Sequence, residues 1–119
     1  MGKTTSPPGL QIRVITRGGD WLGPGKAAIL EGIRDTGSIA AAGRRMGMSY
    51  KRAWGLVEVL NQMFAEPLVT SVRGGAEGGG AAVTPTGLRV LELYRAMERK
   101  GNAALAEELA EVAGLWGER

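Results

Sequence analysis

The chain has 119 residues, a formal net charge of +3 at pH 7 and an isoelectric point near 9.7. That length suits one domain, or one domain with a helical appendage, and 44% hydrophobic residues suffice for a modest core. Cysteine and histidine are both missing, which excludes disulfide scaffolds, thiolate zinc sites, cysteine nucleophiles and every form of histidine acid–base or ligand chemistry.

Residues 1–9 are polar and rich in Pro and Gly, with Lys3 as their one charge. They read as a disordered leader without the apolar stretch of a signal peptide. No run of eighteen apolar residues exists, so no membrane span and a cytoplasmic location are expected. LQIRVITR, residues 10–17, alternates Leu10, Ile12, Val14 and Thr16 with polar or outward positions, the period of a strand. Gly18-Gly19-Asp20 makes a turn, and Trp21 and Leu22 are expected to anchor the core.

Gly23-Pro24-Gly25 opens a helix, since proline tolerates the first turn, where its missing N–H has no partner in any case. Ala27, Ile29, Leu30 and Ile33 give that helix an apolar face to about Thr36, with Gly37 as C-cap. Ser38 caps a shorter second helix, IAAAGRRMG. Its small interior, Ala40 to Gly43, suits close packing against another helix. Gly47 stops it, Met48 fills the corner, and Ser49 caps a third helix, YKRAWGLVEVLNQMF. Two helices joined by a tight glycine turn have the sequence shape of a helix-turn-helix.

At 100° per residue, Tyr50, Trp54, Val57, Leu60, Asn61 and Phe64 fall in one arc of the third helix. That arc is expected to face the core, where Asn61 needs a hydrogen-bond partner. The opposite arc holds Lys51, Arg52, Gly55, Glu58, Val59 and Gln62. Gly55 costs up to ~1 kcal/mol there relative to alanine. Either another backbone or a DNA groove wall comes close to it, or it is tolerated drift.

LVTSVR (68–73) and AAVT (81–84) read as two strands of a hairpin with a long glycine-rich tip. The tip lacks the Gly-Lys-Ser/Thr ending of a phosphate-binding loop and leads into a strand, so a nucleotide cradle is not expected. Thr84-Pro85-Thr86 caps a further helix striped with Leu88, Val90, Leu91, Tyr94 and Met97. Gly101-Asn102 is a candidate break, and Ala103–Trp116 is again helical, with Leu105, Leu109, Val112 and Trp116 apolar. These last helices have no obvious sheet to cover, which suggests a helical dimer interface. Glu107, Glu108 and Glu111 share a helical face, which is more often a solvated surface than a metal site. No metal, cofactor or catalytic constellation is expected.

Charge is unevenly spread. Residues 1–60 carry nine basic and four acidic side chains, whereas residues 61–119 carry six and eight. No acid falls between Ser38 and Val57, so that window, with Arg44, Arg45, Lys51 and Arg52, carries +4. A basic half of this kind points to an anionic partner or to a merely solvated face. The element order favours the former. Strand, helix, helix-turn-helix, hairpin and helix make a winged helix-turn-helix: a mainly α fold with a small β wing (α+β) and a long C-terminal dimerisation helix. In that fold the third helix enters the major groove by its N-terminal residues. Lys51 and Arg52 suit guanine edges or phosphates, Ser49 and Tyr50 suit phosphate oxygens, and Arg44 and Arg45 lie nearer the backbone. Ser38, Gly55 and Arg73 at the wing base complete the candidate DNA-binding set.

The stretches LGPGKAAILEGIRDTGSIAAAGRRMGMSYKRAW (22–54) and LVTSVRGGAEGGGAAVTPTGLRVLELY (68–94) resemble the N-terminal DNA-binding domain of the molybdate-responsive ModE family. The likeness runs from about Leu10 to Lys100, leaving 101–119 as a helical extension. It implies a homodimeric regulator of palindromic operators, with Ser49, Tyr50, Lys51 and Arg52 at the DNA and dimerisation through the terminal helix and a nearby strand. Two departures stand out. The chain stops at Arg119 without the family's molybdate-binding module, so direct oxyanion sensing is not expected and any effector stays unassigned. Ala76 and Glu77 occupy a region of the wing where the family often has a cation. Two readings compete: a protein-interaction adaptor that recruits a partner through its apolar terminal helix, and a ligand-responsive switch with a small molecule at the dimer interface, lined by Trp21 and Trp116, two residues that core packing explains more cheaply.

Overall fold

In the computed structural model, residues 9–73 and 79–117 are described, the side chain of Arg73 excepted. The chain runs β1 (Val14–Ile15), β2 (Trp21–Leu22), α1 (Pro24–Thr36), α2 (Ile39–Arg45), α3 (Tyr50–Met63), β3 (Val69–Arg73), β4 (Gly79–Val83), α4 (Pro85–Ala104) and α5 (Ala106–Gly114). The result is a helical fold with two small antiparallel sheets, α+β in class. Residues 1–8 of the expected leader (1–9), and the glycine-rich hairpin tip with Ala76 and Glu77, lie outside the described residues.

Three caps set the helix starts. The backbone N–H groups of Ala41, Arg52 and Gly87 donate to the hydroxyls of Ser38, Ser49 and Thr84 at 3.0, 3.1 and 3.0 Å. Each satisfies a first-turn donor that the helix itself leaves open. Gly37 ends α1 with φ 74°, its N–H donating to the Ile33 carbonyl, and Gly47 turns between α2 and α3 with φ 72°. An L side chain is strained in that region, so glycine occupies both positions.

Ala27, Ile29, Leu30 and Ile33 of α1 are buried against Ala42, Ala53, Val57, Leu60, Leu68, Val69, Ala81, Leu91 and Tyr94. Helix spacing here depends on small residues. A Cβ added at Gly32 would stand 2.7 Å from that of Ala42, and one at Gly43 would stand 2.9 Å from that of Ala53. The hairpin registers Val69 opposite Val83 and Arg73 opposite Gly79. It docks on the α1–α2 corner through the Ala81 N–H, which donates to the Gly37 carbonyl at 3.0 Å.

Four expectations change. The strand at 10–17 keeps its alternation of half-buried and exposed residues, but only Val14–Ile15 pairs, with Trp21–Leu22. The preceding residues are tied to α4 instead: Leu10 N–H donates to Asn102 Oδ1 and the Tyr94 hydroxyl to the Ile12 carbonyl, both at 2.8 Å. Asn102 also donates to the Glu98 carbonyl, and α4 continues through Gly101-Asn102 to Ala104, with Leu105 as its C-cap. The second hairpin strand begins at Gly79 within the glycine tract and ends before Thr84, which caps α4. Only Leu22 of the Trp21–Leu22 pair is a core residue, since Trp21 is 40% exposed.

Candidate nucleic-acid interface

The α2–α3 unit is built by its connection. After Arg45 the chain makes a four-residue turn, in which the N–H groups of Met46 and Met48 donate to the Gly43 carbonyl and that of Gly47 to Arg44. Ser49 then caps α3, which brings Arg44 and Arg45 at the end of one helix close in sequence to Lys51 and Arg52 at the start of the next. All four cations are exposed. Arg44, Lys51 and Arg52 form no ion pair among the described residues. Arg45 reaches Asp35 at 3.5 Å, and Asp35 also pairs with Arg34 at 3.0 Å. The Arg34 hydrogen bond in particular holds the Asp35 carboxyl below its usual range. Arg45 is therefore partly compensated, and the other three carry their full charge outward.

The face of α3 is rotated from the expected one. Its buried residues are Ala53, Val57 and Leu60. Tyr50 and Trp54, placed in the core arc by sequence, are 55% and 39% exposed. Ala53 nests against Gly43, and the large Trp54 ring lies on the flank beside the hairpin. There Trp54 shares a small cavity of about 100 Å³ with Ile39, Thr70, Ser71 and Ala81. Asn61 finds the partners it needed: its Oδ1 accepts from Leu68 and Val69 N–H at 2.8 and 3.0 Å, and its Nδ2 donates to the Val69 carbonyl at 3.0 Å. It clamps the hairpin to α3. The outward line of α3 is Lys51, Gly55, Glu58 and Gln62. Among the described residues, nothing beyond its chain neighbours and the adjacent α3 backbone lies within 4 Å of a Cβ built on Gly55.

Ser38 and Ser49 commit oxygen lone pairs to helix caps, so their hydroxyls have a structural task beside any contact they make. Arg73 belongs to the last residue pair of the hairpin ladder, and its side chain lies outside the described residues.

The fold also builds a basic cleft that sequence patterning does not reveal. Arg13, Lys26 and Arg52 line a cavity of about 240 Å³ together with Trp21, Met48 and Leu56. The Arg13 guanidinium lies 4.5 Å and the Lys26 ammonium 5.1 Å from the Trp21 ring centre. The alternation of residues 10–17 turns Arg13 outward. Its meeting with Lys26 depends on the β1–β2 pairing, which no local pattern encodes.

The chain matches no protein-family model. Curated proteins do resemble it. The chain is similar to the molybdenum proteins ModE and Mop. It is 45% identical over 85 residues to the molybdenum-pterin-binding protein MopB of Rhodobacter capsulatus, covering 71% of this chain and 32% of that protein. It is 39% identical over 99 residues to the molybdenum transport protein ModE of Azotobacter vinelandii, covering 81% and 37%. It is 38% identical over 71 residues to the DNA-binding transcriptional dual regulator ModE of Escherichia coli, covering 60% and 27%. The chain thus spans about a third of the length of these relatives and fits a ModE-like fragment. No helix among the described residues is long and apolar enough to cross a membrane.

Proposed function

We propose that this chain is the DNA-binding part of a transcriptional regulator linked to molybdenum. In this reading α2, the turn and α3 form the helix-turn-helix of a winged helix, and β3–β4 is the wing. The observation that carries it is the acid-free run from Ser38 to Val57, whose four cations are exposed on consecutive ends of two helices. The name of the Escherichia coli relative, a DNA-binding transcriptional regulator, supports the same reading.

Each residue then has a role. Lys51 and Arg52 meet base edges or phosphates from the first turn of α3, and Ser49 and Tyr50 contact phosphate oxygens beside them. Arg44 and Arg45, with Arg73 at the wing base, neutralise backbone charge. Gly55 admits the groove wall. Ser38 orients α2 by its cap. Two copies pair through α4, α5 and the residues that flank α5, where Leu105, Val112, Leu115 and Trp116 expose apolar surface and α5 itself buries no residue. Half-sites then lie about 34–36 Å apart.

Selection from a random duplex pool at two salt concentrations tests this reading. A two-fold symmetric motif whose recovery falls steeply with salt is the expected result. Absence of binding at low salt would overturn it, and weakly salt-dependent capture of proteins through α5 would favour the adaptor reading.

A further inference from the structure

We infer that the Arg13–Lys26–Arg52 cleft is a second phosphate-gripping subsite, which holds the sugar–phosphate backbone of the duplex beside the groove that α3 enters. The inference rests on the DNA-binding reading above and extends it to residues outside the helix-turn-helix.

Three elements converge on the cleft. Arg13 comes from the segment before β1, Lys26 from the first turn of α1 and Arg52 from the first turn of α3. Among the described residues, no carboxylate lines it and none of the three cations forms an ion pair. This differs from Arg34, Arg45, Arg89 and Arg95, all of which are paired with acids. Arg13 and Lys26 are held by the face of Trp21 instead. An aromatic face restrains a cation without neutralising it, so the charges are positioned before any anion arrives.

The backbone adds to this. α1 starts in the cleft at Gly23, which supplies no capping side chain, and its first turn contains no acid. The first N–H groups of α1 therefore add partial positive charge to that of the side chains. Met48 and Leu56 supply apolar wall, which lowers the local dielectric and strengthens the attraction.

Continuity with α3 identifies the anion. Arg52 belongs both to the cleft and to the turn of α3 that carries Lys51. A phosphate seated between Arg13 and Lys26 is therefore next to whatever α3 contacts, as the backbone of one duplex would be. A free oxyanion of similar chemistry would have no reason to need that adjacency.

The test is fluorescence anisotropy of the full chain with a selected duplex across a salt series. Arg13→Ala with Lys26→Ala should lower affinity about tenfold to a hundredfold at low salt. It should also flatten the slope of log affinity against log salt by about 0.9 for each phosphate no longer neutralised. Base preference should stay the same, because phosphate contacts carry no sequence information. The charge-preserving pair Arg13→Lys with Lys26→Arg should keep the wild-type slope. If the double alanine variant does not fold, single Arg13→Gln and Lys26→Gln variants should each show part of the loss. Wild-type affinity and slope in the folded alanine or glutamine variants would overturn the subsite. With Lys51→Ala still impaired, that outcome would leave the DNA-binding reading standing. Absence of DNA binding by the wild-type chain removes both. Saturable binding of inorganic phosphate that needs Arg13 and Lys26, with an unchanged DNA slope, would overturn the assignment to DNA.

Discussion

Gly55 and Asn61 lie on the same helix and separate binding from folding. Among the described residues nothing fills the space beside Gly55, so Gly55→Ala should stabilise the protein by about 0.5–1 kcal/mol through helix propensity. If α3 enters a groove, the same methyl group should weaken DNA binding. A thermal melt and a DNA titration on one sample check both signs. A stability gain with unchanged affinity would return Gly55 to tolerated drift. Asn61 behaves in the opposite way. Asn61→Ala removes three hydrogen bonds and strands the N–H groups of buried Leu68 and Val69. A loss of about 2–3 kcal/mol is expected in chemical denaturation. The need for a partner at Asn61 was legible from its place on an apolar arc. The exposure of Tyr50 and Trp54 was not, because an arc drawn at 100° per residue cannot tell which of its edges a neighbouring Gly43 will admit.

Among the elements, one arginine adds a polar bridge to the apolar contact of α4 with α1. Arg95 makes a two-pronged pair with Glu31, Nη2 to Oε1 at 2.7 Å and Nε to Oε2 at 3.1 Å, and a third contact to Glu98 at 2.7 Å. The Arg95 hydrogen bonds hold the Glu31 carboxyl below its usual value, although partial burial opposes the shift. A carboxyl lowered by folding contributes stability above its unfolded pKa, near 4.5. That contribution disappears as pH falls through the lowered folded value. Glu31→Gln should therefore melt below the wild type at neutral pH and converge with it in acid. The pair is about one-third exposed, so water screens it. A difference of about 2–4 °C is expected, the shift of roughly half a kcal/mol in a domain of this size.

The helix caps were the most legible feature of these elements. Ser38, Ser49 and Thr84 all bind the N–H three residues on, because capping is a local act between near neighbours. The β1 boundary and the unbroken α4 were not legible. Both are decided by contacts across more than eighty residues, Leu10 with Asn102 and Ile12 with Tyr94. Burial pushes the Tyr94 phenol above its ordinary pKa, Glu98 adds to the rise and Arg95 opposes it. The hydroxyl therefore stays a donor to Ile12 at neutral pH.

For the whole molecule, the three tryptophans mark three different regions. Trp54 stands on α3 beside the hairpin, Trp21 lines the basic cleft, and Trp116 is 61% exposed just beyond α5. The division of charge follows the same geography, with an excess of cations before residue 60 and of carboxylates after it. That division was readable from sequence. The convergence of Arg13, Lys26 and Arg52 was not, since it needs the fold to bring together segments separated by a hairpin and two helices. The central claim is that DNA meets the α2–α3 surface. Its most direct test is an indole N–H spectrum of the isotopically labelled chain, titrated with a selected duplex. The Trp54 and Trp21 signals should shift with the DNA, while Trp116 stays in place. Movement of Trp116 alone, with Trp54 and Trp21 unchanged, would contradict the account.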